Sequence, residues 1–191
     1  VTKYAPELAG LKVLTWKDGQ PVMKDGKPVL ADPTSAPTMR QIMSHTAGFG
    51  YGLCCTDPKS PNYNPVDEAF VKEGVLASAN LDEMMAKIAN IPLLYDPGTR
   101  WSYSASVDIQ GYLVQKISGQ KFGDYLKANI FTPLGMNDTS FFVSEANKPR
   151  FADVYHWDNA KKSLVMNEDR PDRPGFTDPN RLESGGGGLV S

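Results

Sequence analysis

Tyr95-Asp-Pro-Gly-Thr-Arg-Trp-Ser-Tyr-Ser104 runs directly into Ala105-Ser-Val-Asp-Ile-Gln-Gly-Tyr-Leu-Val-Gln-Lys-Ile-Ser-Gly119, and the rest of the chain is read outward from this junction. Asp96-Pro97-Gly98 is a turn signal, because Pro presets φ and Gly accepts positive φ. Over about 104–117 the residues Val107, Gly111, Val114 and Ile117 recur on one side, the spacing of an amphipathic helix. Ser118-Gly119 closes it, since glycine takes the left-handed conformation that ends a helix. Tyr103 therefore stands at a helix entry, with Trp101 two residues before it and Ser104 just after.

Upstream, Asn80 is placed to cap a helix over 81–89, where Leu81, Met84, Met85 and Ile88 repeat at i, i+3, i+4 and i+7. Asn64-Pro65 supplies a cap and an N1 proline for another helix over 66–75. Thr38-Met39-Arg40-Gln41 reads as a capping box opening a short helix that runs to about His45. The tract 46–64 has no helical period and holds glycines, prolines and the adjacent Cys54 and Cys55, so it is expected to be a long loop. Asp18-Gly19 and Asp25-Gly26 are hairpin turn signals within 11–31, which predicts a small, exposed β excursion.

Downstream, 122–131 reads as a further helix closed by Pro133-Leu134-Gly135. From Thr139 the pattern turns β-like: Ser140-Phe-Phe-Val143, then Val154-Tyr-His-Trp157 and Ser163-Leu-Val-Met166 joined by a turn. The tract 167–191 is expected to be loop, ending in the four glycines 185–188, which suit either close backbone approach or a flexible end. No internal repeat is expected. The chain reads as one domain over 1–191, with a β-hairpin excursion at 11–31, a helical region at 38–135 and short strands at 139–166.

Composition excludes several classes of function. The 191 residues are 40% hydrophobic and carry a net charge of −2, with lysines and arginines scattered, so nucleic acid is not an expected partner. No apolar run approaches the ~20 residues that span a bilayer, and no transmembrane segment is expected. The two cysteines are neighbours and cannot staple a long loop; free thiols are the plain expectation and a vicinal disulfide the alternative. His45 and His156 lie far apart, and no zinc-ligand spacing occurs. No metal and no cofactor is expected.

Three stretches carry a resemblance when taken together: Thr38-Met-Arg-Gln-Ile-Met-Ser-His-Thr-Ala-Gly48, the segment Tyr95 to Ser104 running on through Asp108-Ile-Gln-Gly111, and Gly185-Gly-Gly-Gly-Leu-Val-Ser191. In that order and spacing they resemble the serine β-lactamase and penicillin-binding-protein superfamily, and within it the class C-like family VIII carboxylesterases. The resemblance implies a mainly α chain with small β-hairpins. It corresponds to the helical domain of the β-lactamase/transpeptidase-like α+β fold with the α/β half largely absent, a central fragment.

That resemblance implies a chemistry. A serine in a Ser-x-x-Lys helix turn attacks an acyl carbonyl to form an acyl-enzyme, and a tyrosine helps take its proton. Tyr103 matches the tyrosine of the family's Tyr-x-Asn motif and is the expected catalytic residue. Ser104, Tyr51 and Trp101 are the expected substrate-binding residues, although Ser104 reads equally as a helix N-cap and the aromatics, Phe49 included, equally as core. Ala105 stands where β-lactamases place an asparagine that binds the substrate amide, which moves the expectation toward small esters or acyl groups. His45 is expected to brace a turn and Asp108 to anchor the helix.

Ser118-Gly-Gln-Lys121 matches Ser-x-x-Lys by letters, but it falls at a helix stop and is not expected to be the nucleophile. The nucleophile segment and the strand bearing Lys-Thr-Gly or His-x-Gly are then expected outside this chain, leaving the isolated chain inactive. Exposed apolar surface would favour a homodimer or a complementing α/β half. The competing reading is a non-catalytic binding or interaction module derived from the same helical domain.

Overall fold

The computed structural model describes residues 1–166 and 175–191. Residues 167–174, part of the tract expected to be loop, lie outside the described residues.

Local side-chain chemistry starts the helices. Thr38 Oγ1 accepts from the Gln41 backbone amide and Gln41 Oε1 accepts from the Thr38 amide, the two halves of a capping box. This opens α1, Met39–Met43. Asn64 Oδ1 accepts from Asp67 N at 2.7 Å, with Pro65 at the first helical position, to open α2, Pro65–Lys72. Gly74 in the left-handed region follows α2, and a short 3-10 turn, Val75–Ala77, replaces the end of the helix expected over 66–75. Asn80 Oδ1 accepts from Glu83 N at 2.9 Å and opens α3, Leu81–Ile88, whose Leu81, Met84, Met85 and Ile88 are all buried.

The central helix is α4, Ser106–Ser118, which contacts α1, α3 and α5, Phe122–Leu126. Its buried residues are Ser106, Asp108, Ile109, Gly111, Tyr112 and Leu113, whereas Ile117 is exposed. The stripe read through Val107, Gly111, Val114 and Ile117 is therefore corrected: the true inner face lies a residue or two away around the helix and includes a serine and a carboxylate. Apolar periodicity is blind to such polar anchors. Beyond α5 the backbone widens into a π-helical turn, Lys127–Phe131, so the helix expected over 122–131 is two different pieces.

The β excursion is built as a closed set of short antiparallel pairs. β1, Val13–Leu14, pairs with β6, Leu30–Ala31. β2, Trp16–Lys17, pairs with β3, Gln20–Pro21, and β4, Met23–Lys24, pairs with β5, Lys27–Pro28. Both tips have positive φ at two successive residues, Asp18-Gly19 and Asp25-Gly26, the backbone that right-twisted two-residue hairpins demand. The expectation of no internal repeat fails here. Trp16-Lys-Asp-Gly-Gln-Pro-Val22 is followed at once by Met23-Lys-Asp-Gly-Lys-Pro-Val29, a tandem seven-residue repeat. Thr15, Val22 and Val29 close it in a ring of backbone hydrogen bonds: Val22 N to Thr15 O, Val29 N to Val22 O, and Thr15 N to Val29 O.

β7, Tyr155–Asp158, and β8, Ser163–Met166, form the expected later hairpin. Ser140-Phe-Phe-Val143 does not make a strand; only Ser140 bridges, to Val190 near the glycine run. One buried cluster joins Leu8, Leu14, Ile42, Phe49, Val66, the α3 residues, Leu93, Ile109 and Leu113. It ties the β excursion, through the backbone bond from Leu14 N to Leu93 O, to the segment that leads into Tyr103.

Candidate active site

Two segments lie side by side to form the site. Residues 45–50 are laced to residues 94–105 by backbone bonds from Leu94 N to Gly48 O, Gly98 N to Thr46 O, Ser102 N to His45 O and Ala105 N to Gly50 O. Gly48 makes this approach possible: its φ is +86°, and a Cβ there would stand 1.9 Å from the Tyr95 carbonyl oxygen. The last of these bonds holds the residue at which α4 begins, since Ala105 also accepts at its carbonyl from Ile109 N.

Tyr103 is half-exposed, at 50%, and Trp101 more so, at 63%. The Tyr103 ring lies 4.9 Å from that of His45 and 5.5 Å from that of Tyr51, the second contact edge-to-face. Trp101 and His45 meet edge-to-face at 6.2 Å. The structure thus brings Tyr103 and Trp101 to His45, and Tyr51 to Tyr103. Phe49, read as either wall or core, is core.

Beneath this surface is a buried polar base. His45 Nδ1 lies 3.1 Å from Ser104 Oγ, and Ser104 Oγ lies 2.8 Å from Ser106 Oγ. Ser104 is corrected on its N-cap reading, because that position belongs to Ala105. Its own side chain is buried and engaged with His45 and Ser106. The contribution of Ser106 was not anticipated; the Ser104-x-Ser106 spacing at a helix entry was the available signal. His45 braces the turn as expected, with its own backbone in the left-handed region at φ +55°.

Asp108 anchors α4 to the glycine run. Fully buried, its Oδ1 accepts from the Ser184 hydroxyl and from Gly186 N, while Oδ2 has no hydrogen-bond partner among the described residues. A Cβ on Gly185 would fall 2.5 Å from the Val107 carbonyl oxygen, and one on Gly186 would fall 2.6 Å from Asp108 Oδ2 and 2.7 Å from the Tyr51 hydroxyl. The glycine run is therefore a site of close backbone approach, with Tyr51 reaching from it to Tyr103.

The opposite end of α4 answers the question of Ser118. Its hydroxyl bonds back to the Gln115 carbonyl and accepts from Gln120 N. The Lys121 ammonium sits on Glu183 at 2.7 Å, so the pair does not form a nucleophile and its base. Two other phenols are perturbed away from the site. Burial, then the Glu68 carboxylate, pushes Tyr63 up to about 12, and burial, then Glu7, pushes Tyr112 well above the ordinary phenol range. Neither can serve as a base near neutrality.

Comparison with known proteins follows this geometry. A family model described as Beta-lactamase matches residues 1–191. The chain belongs to the beta-lactamase family. Esterase EstB of Burkholderia gladioli is 33% identical over 120 residues, covering 62% of this chain and 29% of EstB. Monacolin J acid methylbutanoyltransferase of Aspergillus terreus is 28% identical over 166 residues, covering 86% of this chain and 37% of that enzyme. The solved LovD6 mutant of Simvastatin Synthase from Aspergillus terreus superposes with a TM-score of 0.69 at 26% identity, over 99% of this chain and 41% of that one. This beta-lactamase family chain thus spans less than half the length of the relatives it matches. The expected superfamily and its carboxylesterase side hold, and the fold is β-lactamase/transpeptidase-like.

Proposed function

We propose that this chain supplies the Tyr103 wall of an acyl-transfer site acting on small esters or acyl groups through an acyl-enzyme. In this reading the chain corresponds to the helical half of the fold, and a complementing α/β half brings the Ser-x-x-Lys nucleophile. The observation that carries the reading is the placement of Tyr103: an exposed phenol at the entry of the central helix, steadied by the His45 and Tyr51 rings over the His45-Ser104-Ser106 base. A phenol beside a lysine ammonium accepts a proton far more readily than one in water, and Tyr103 is open to receive such a partner. Its proton would come from the attacking serine hydroxyl and pass to the leaving alkoxide.

Two further features support the same reading. The chain's Ser-x-x-Lys match has its lysine committed to Glu183, and Ala105 is fully buried, so that position projects no amide toward a lactam. Trp101 and Tyr51 then line the acyl side, and Ser104 positions His45 and the helix entry. Related proteins named as an esterase and an acyltransferase agree with ester chemistry.

The test is hydrolysis of p-nitrophenyl esters by the full-length gene product and by its Tyr103→Phe variant. Loss of turnover by about 10³-fold, within the range for a positioned acid–base group, is expected, with the 191-residue chain alone inactive. Unchanged turnover in Tyr103→Phe would remove this tyrosine from the mechanism.

A further inference from the structure

The loop after the site carries chemistry that acyl transfer does not use. Cys54 and Cys55 are joined as a vicinal disulfide, Cys54 exposed and Cys55 half-buried; the expectation of free thiols gives way to its alternative. On one side of the pair, the amides of Tyr51 and Gly52 donate to Asp67 Oδ1 at 2.9 and 2.8 Å. On the other, Asn64 N donates to the Cys55 carbonyl at 2.9 Å, and the Asn64 side-chain amide donates to Asp67 Oδ2. The two anchors end on Asp67 in the first turn of α2 and on Asn64, its cap, and the cysteine pair lies between them.

Two observations favour a bond between the sulfurs at this place. Cys55 has φ +62°, a left-handed backbone that is unfavourable for a residue with a Cβ, and the ring closed through the sulfurs holds it there. The two sulfurs and the Asp67 carboxylate also lie within 4.8 Å of one another. Thiolates beside that carboxylate would repel it, whereas a disulfide carries no charge.

We propose that Cys54 and Cys55 form a reversible dithiol–disulfide site for low-molecular-weight thiols and disulfides, and that its state sets how firmly Tyr51 is held against Tyr103. The second half of this statement rests on the reading of Tyr103 given above. In the forward step one cysteine thiolate attacks a disulfide RSSR, forming a mixed disulfide and expelling one thiolate. The neighbouring thiolate attacks the cysteine sulfur of that mixed disulfide and expels the second. Two electrons pass from the cysteines to RSSR, which leaves as two RSH carrying the two cysteine protons, and reduction by a thiol reverses the sequence. In the dithiol, Cys55 is released from the ring, its backbone leaves the left-handed region, and the bond from Asn64 N opens. Tyr51 then keeps one of the loop's two anchors.

The experiment uses the 191-residue chain with oxidised glutathione as oxidant, dithiothreitol as reductant and phenylarsine oxide as a dithiol probe. The oxidised chain is expected to weigh two hydrogen atoms less than the reduced one, to carry no glutathione and to offer no thiol to iodoacetamide. The reduced chain is expected to bind one phenylarsine oxide across both sulfurs, releasing one water. Amide exchange at Tyr51 and Gly52 should quicken by about tenfold on reduction, with the α3 amides unchanged, and the Cys54→Ser, Cys55→Ser double variant should show the fast pattern under both conditions. Glutathione retained on either cysteine, or two thiols persisting in excess oxidant, overturns the site. Equal exchange at Tyr51 and Gly52 in the two states overturns its link to Tyr103. None of these readouts involves turnover, so they stand or fall separately from the Tyr103→Phe assay.

Discussion

At the N-terminal end of α4 an exposed phenol stands on a buried polar base; at the C-terminal end a serine and a lysine in the right spacing are each committed elsewhere. Tyr103 has its ring held by neighbours and its surface open. Ser118 is bound back into its own helix, and Lys121 is neutralised by Glu183. On the proposed reading of Tyr103, the difference teaches that a reactive group needs support without satisfaction: partners that fix its direction and leave it exposed. The Ser-x-x-Lys letters specify only a spacing, and at a helix stop that spacing aims the two side chains at different partners.

The sharpest way to break this contrast is to mutate both ends in the full-length protein. Tyr103→Phe should lower ester turnover by about 10³-fold, while Ser118→Ala should leave it within about a factor of two; a large loss in Ser118→Ala would reverse the assignment of the two ends. The next effect is on folding at the N-terminal end. Gly48→Ala puts a methyl into the Tyr95 carbonyl at a left-handed φ and should destabilise the chain by more than about 3 kcal/mol. Urea unfolding of the variant measures it.

Asp108→Ala should cost about 2 kcal/mol, because it strands the part-buried Ser184 hydroxyl and Gly186 amide. The same urea midpoint reads this, and an effect near zero would mean that the glycine run is not anchored through this carboxylate. A smaller effect is expected in alkali. The folded-state pKa of Tyr112 lies above its unfolded value of 10.0, so its contribution is fully present below pH 10 and is lost as pH climbs from there toward the raised value. The wild-type urea midpoint should therefore fall above pH 10, and Tyr112→Phe should flatten that fall. Least of all, Lys121→Met removes an ion pair whose lysine is 59% exposed and should change stability by no more than about 1 kcal/mol.

How much of this was legible beforehand follows from the range over which each feature is decided. Thr38, Asn64 and Asn80 announce their helices because a cap is a contact between a side chain and an amide three residues on. Asp18-Gly19 and Asp25-Gly26 announce their turns for the same reason. Tyr103, Trp101 and Tyr51 could be named, but not the His45 ring that lies against Tyr103 and Trp101, since that depends on the turn at Gly48 lying against Tyr95. The partners of Ser104 were not legible, because one of them, His45, is 59 residues away. The inner face of α4 was misplaced because Asp108 is buried for the sake of Ser184 and Gly186, which no apolar spacing records. The tandem repeat was legible in the letters and was missed; its two copies share Lys-Asp-Gly and Pro-Val, but the closing ring through Thr15 joins positions fourteen apart.

That ring has a consequence for how the excursion can change. Each of Thr15, Val22 and Val29 gives one backbone proton and takes one, so the motif is complete in itself, and the chain enters and leaves it through Leu14 and Leu30, which face each other across a strand pair. Growth or loss by anything other than whole heptads would leave an amide and a carbonyl without a mate. Excision of the entire motif, by contrast, asks only for a short reverse turn between two residues that are already neighbours, which makes it a natural seam for trimming or grafting.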